Sequence, residues 1–164
     1  MVVHRVAARS RKLAQIHVSK AVLISLSQVF FIFGIILLLF APWLGSVAEL
    51  NYGIGARSAY LFMGILFIVL SYILFSKVDE IDFFDFLASM VATGALRSTP
   101  HGRFIDGAAA QLLIGLILIA LAPVVFSLKG AVAGGLTLAA GGVFLASAAV
   151  GYYLAHWAYN RSSG

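Results

Sequence analysis

Residues 21–44 read AVLISLSQVFFIFGIILLLFAPWL, without a single charge. A helix needs about 20 predominantly apolar residues to cross a hydrocarbon core of about 30 Å, and this run is longer than that. In hydrocarbon each backbone N–H and C=O must find its partner within the segment, so the run reads as a membrane-spanning α-helix. Ser46-Val47-Ala48 imitates a signal-cleavage site. The apolar stretch before it exceeds the usual signal core of about 7–15 residues, which makes it an uncleaved anchor.

C-terminal to that run lie three further apolar runs, 59–76, 104–126 and 130–157, whose only charge is Asp106. The whole chain of 164 residues is 62% hydrophobic and 10% charged, with a mean hydropathy of +1.05. A soluble domain of this size needs far more charge to cover its surface. Strands would require a closed barrel and alternating polarity, and no alternation is visible. The expected fold is an all-α integral membrane protein with about four transmembrane helices in an antiparallel bundle, together with a cytoplasmic amphipathic interfacial helix.

That interfacial helix is expected at about 79–93. Asp79, Asp82 and Asp85 recur at spacing three, while Phe83, Phe84, Leu87, Met90 and Val91 take the other side of the wheel. The acidic residues, with Glu80, lack the glycine and terminal glutamate of an EF-hand loop and read as a solvated or ion-paired face. Residues 1–20 form a basic cytoplasmic leader, 21–157 the four-helix domain and 158–164 a short cytoplasmic tail.

Orientation follows from the basic residues. The leader holds Arg5, Arg9, Arg11, Lys12 and Lys20, the long connection Lys77, Arg97 and Arg103, and the tail Arg161. Only Arg57 and Lys129 fall on the other side. Both termini are therefore expected in the cytoplasm, with a plasma membrane as the location. Trp43, Tyr52 and Tyr60 mark the outer edge, and Tyr152, Tyr153 and Trp157 the inner one. Pro123 is expected to kink or end its span.

Two sets of residues carry the functional expectations. Gly135, Ala139, Gly142, Ala146 and Ala149 form a ridge of small residues along the fourth span, a helix-packing interface that serves either the chain itself or another chain. The first span is bulky instead, and Leu38 is expected to face lipid. The second set is a polar cluster near the cytoplasmic side: Gln28, Tyr72, Asp106, Gln111, Ser147 and His156, with Ser25, Ser71 and Tyr152 at the same depth. It reads as interhelical hydrogen bonding or as a vestibule for a polar solute. Asp106 is expected to cap the start of the third helix.

Chemistry-bearing motifs do not emerge. The chain has no cysteine, so disulfides and thiolate sites are out. His4, His17, His101 and His156 lie outside or at the edge of the spans, where a transmembrane haem would not find its ligands. Walker, dinucleotide, Gly-x-Ser-x-Gly and His-Glu-x-x-His patterns do not occur. No cofactor is expected beyond bound lipid, and nucleic acid is not an expected partner. The expected function is a non-catalytic structural or accessory subunit of a larger membrane protein complex, with other membrane subunits and lipid as partners. The alternative is a small homo-oligomeric channel or transporter for an ion or small polar solute.

Overall fold

A computed structural model describes residues 2–77 and 102–162, with side chains over 22–77 and 105–157. The expected interfacial helix at 79–93 lies outside the described residues. Four helices follow one another: α1 (Val2–Tyr52), α2 (Ala56–Ser76), α3 (Gly102–Lys129) and α4 (Ala131–Ser162). Each contains a stretch long and apolar enough to cross a membrane. The basic leader is not a separate element, since its backbone continues as the first turns of α1.

The helices form two units, α1 with α2 and α3 with α4, and the units meet chiefly through α1 and α3. A turn glycine with positive φ closes each unit: Gly53 at 79° and Gly130 at 85°. A side chain is strained in that conformation, which is why both turns use glycine. The N–H of Gly53 donates to the Glu49 carbonyl at 3.2 Å, and that of Gly130 to the Phe126 carbonyl at 3.1 Å.

Glycine also sets the closest approach inside each unit. A β-carbon on Gly34 would lie 2.9 Å from the carbonyl oxygen of Gly64, and one on Gly115 would lie 3.0 Å from that of Gly141. Backbone thus meets backbone at one point in each pair, the contact that small residues permit. Leu38 closes over Gly64 and Ile68 over Gly34, while Ile119 closes over Gly141 and Leu145 over Gly115. Leu38 therefore packs against α2, contrary to the expectation that it faces lipid. The glycine opposite leaves a hole that a branched side chain fills.

Both central helices contain a proline, Pro42 in α1 and Pro123 in α3. Each removes the donor for the carbonyl four residues earlier, Leu38 and Ile119. Pro123 does not end its helix, which runs to Lys129 and stops only at Gly130. The core between the units is apolar: Phe33, Leu37, Leu44 and Val124 are buried, with Phe67, Leu113 and Ile117 among those packed against them. Phe67 stands edge-on to both Phe30 and Phe33, at 5.3 and 4.8 Å between ring centres.

Candidate functional site

The small ridge predicted on the last span does not pack within the chain. Ala139, Gly142, Ala146 and Ala149 are exposed on α4 and Gly135 is half-exposed. A β-carbon on Gly135 or Gly142 would meet nothing within 4 Å. The face of α4 turned toward its neighbours is one residue over, at Gly134, Gly141, Ala148, Gly151 and Ala155. Adjacent glycines at 134–135 and 141–142 thus divide the work, one of each pair facing inward and the other outward. A step of one residue turns a helix by about 100°, so the two stripes occupy different sides.

At the end of the units opposite the turns, Ser27 and Ser71 form a closed polar contact. The Ser27 hydroxyl donates to the Ser71 carbonyl at 2.9 Å and the Ser71 hydroxyl to the Ser27 carbonyl at 2.6 Å. Both side chains are fully buried. Each hydroxyl satisfies a carbonyl on the opposite helix, so neither polar group is stranded. Among the described residues no buried side-chain nitrogen or oxygen lacks a partner.

Hydrogen bonds between described residues join one unit to the other. Tyr60 of α2 donates to the Ala120 carbonyl of α3 at 2.7 Å. Ser25 of α1 and Tyr152 of α4 are paired at 2.9 Å. Among the polar residues read from the sequence, Tyr72, Asp106 and Ser147 are exposed, while Gln28, Gln111 and His156 are half-buried. Asp106 sits past the first turn of a helix that begins at Gly102, so it does not cap that helix. Of the residues that make these polar contacts, Ser25, Ser71 and Tyr152 belong to the polar set read from the sequence at this depth, and Ser27 does not.

The cavities are apolar. A groove of about 390 Å³ lies between α2 and α3 over α1, lined by Phe33, Leu37, Tyr60, Met63, Phe67 and Ile119 among others. Among the described residues no group of three histidine, aspartate or glutamate side chains is placed to hold a metal ion. Comparison with known proteins yields no matching family model, no matching curated protein and no matching solved structure.

Proposed function

We propose that the chain crosses a membrane four times as an antiparallel helical bundle and serves as a non-catalytic structural or accessory subunit of a larger membrane protein complex. Lipid contact is supported by how little of each helix the chain itself covers, since only 17% of the most apolar window is buried in α2, α3 and α4. Large apolar side chains such as Phe62, Ile65 and Leu66 stand exposed, and an apolar surface of this extent needs lipid or protein against it. The basic asymmetry places both termini in the cytoplasm, and a plasma membrane is the proposed site. A cysteine introduced at exposed Asn51 then reacts with an impermeant maleimide added outside; labelling only after lysis reverses the topology.

The outward stripe of Gly135, Ala139, Gly142, Ala146 and Ala149 carries the subunit reading. Without a hydrophobic force between helices in lipid, small residues are the feature that lets two backbones approach, and this chain leaves the stripe uncovered. Lipid and a helix of a partner subunit are its proposed neighbours. Affinity purification in a mild detergent, followed by mass spectrometry and sizing, tests it. Stoichiometric partner chains support the proposal. A lone chain or a pure homo-oligomer that passes ions in liposomes establishes the channel reading instead.

A further inference from the structure

With Gly34 placed on Gly115 and Gly64 on Gly141, the two units share a register fixed by their glycine crossings alone. Sequence then agrees where nothing forced it. Residues 34–46, GIILLLFAPWLGS, and 115–127, GLILIALAPVVFS, are identical at six of thirteen positions, including Ala-Pro at 41–42 and 122–123. Residues 61–68, LFMGILFI, and 138–145, LAAGGVFL, share the leucine, the glycine and the phenylalanine. Ser46 and Ser127 coincide, and each hydroxyl donates to a carbonyl of the preceding turn, Trp43 at 2.9 Å and Pro123 at 3.0 Å.

Contacts agree as well. Near the turn, Gly45 of α1 receives Arg57 of α2, whose α-carbon would lie 2.5 Å from an added β-carbon. In the other unit the same two positions are Phe126 and Gly134, again in contact, with the glycine now on the second helix. Buried Ser27 and Ser71 coincide with buried Ala108 and Ala148. The turn glycines coincide too, after one extra four-residue turn in α1 between Ser46 and Gly53.

In two inter-unit hydrogen bonds the second helix of one unit meets the first helix of the other, α2 with α3 and α4 with α1. A groove of about 220 Å³ between α1 and α3 is lined by Ile36 and Phe40 together with their counterparts Ile117 and Leu121.

We infer that the chain is a tandem duplication of one two-helix unit, α1 with α2 repeated as α3 with α4. The two copies have since diverged on their outer faces. The positions of the small stripe on α4 correspond in α2 to Ser58, Phe62, Ile65, Val69 and Tyr72, so the fold of the unit does not require small residues there.

The test uses the full chain in detergent. Gly45→Phe lowers the melting temperature by about 5 °C or more, as overpacking against a backbone does. Adding Arg57→Gly converts the site into the pair found in the second unit and recovers at least half of that loss. Failure of the double variant to recover overturns the equivalence. If Gly45→Phe yields no folded protein, the reciprocal exchange decides: Gly134→Arg lowers the melting temperature and Phe126→Gly added to it restores it, while no restoration overturns the inference.

Discussion

The two units cross at the same point and are fastened by different chemistry. In α1 and α2 the end away from the turn is held by two serines that each satisfy the other's carbonyl. The corresponding residues of α3 and α4 are alanines. Near the turn the first unit carries an ion pair, Glu49 with Arg57 at 3.5 Å, where the second lays the Phe126 ring across Gly134. What the units share is the glycine contact with a branched side chain on either side. Backbone approach therefore defines the pair, and the groups around it are exchangeable as long as each polar atom keeps a partner.

The largest effect is expected at the crossings. Gly141→Leu drives a side chain into the Gly115 carbonyl oxygen, which would lie 3.0 Å from its β-carbon. A backbone atom cannot move aside, so a loss of about 3 kcal/mol or more is expected, seen as loss of the folded peak or a melting temperature lower by about 8 °C or more. Gly34→Leu behaves alike. Gly142→Leu, one residue away on open surface, leaves the melt of the isolated chain within about 2 °C. Equal damage at 141 and 142 would break the assignment of inner and outer faces.

Next comes Leu38→Ala, which empties the hole over Gly64. Leu38 is half-buried, so the cost falls at or below the low end of core truncations, about 2 kcal/mol, read from thermal melts. Its counterpart Ile119→Ala should cost a similar amount. A Leu38 variant that melts like the parent returns that side chain to lipid.

Smaller still is the serine contact. Ser27→Ala costs about 1 kcal/mol. The double variant Ser27→Ala/Ser71→Ala costs less than the sum of the singles, because the hydroxyls act as a unit and the second copy manages with alanine. A double-mutant cycle with no coupling would dissolve the contact into two independent bonds. The smallest effect is at the turn: Glu49→Gln changes stability by about 0.5 kcal/mol or less, since Arg57 is exposed and Glu49 is only half-buried, so water screens the pair. A larger change, or one insensitive to salt, would mean that this pair is shielded as the serines are.

Length and polarity made the helices legible, because 21–44 and its three companions are too apolar and too long to be anything else. Their ends were less so. Pro123 looks like a stop, but it sits inside its helix as Pro42 does, and the glycines at 53 and 130 end the elements instead. The ridge on the last span was legible as a stripe but not as an outer face, since Gly134 and Gly135 differ only in direction. The inferred duplication is faint in the sequence because single glycines, leucines and alanines are common in any apolar helix; its clearest mark is Ala-Pro at 41–42 and again at 122–123. Ser25 and Ser71 were legible by their depth in the spans, whereas nothing in the sequence sets Ser27 apart from Ser76.

The extra turn in α1 bears on the thickness of the bilayer. The apolar part of α1 covers 31 residues and that of α2 covers 21, or about 46 Å and about 32 Å of helix. A hydrocarbon core of about 30 Å accommodates the shorter helix upright and the longer one only with tilt or with an end outside the core. Fastened at Ser27, Gly34 and Gly45, α1 cannot lean without carrying α2. In the proposed membrane placement, thinner lipid would then be expected to tilt both helices of the first unit together.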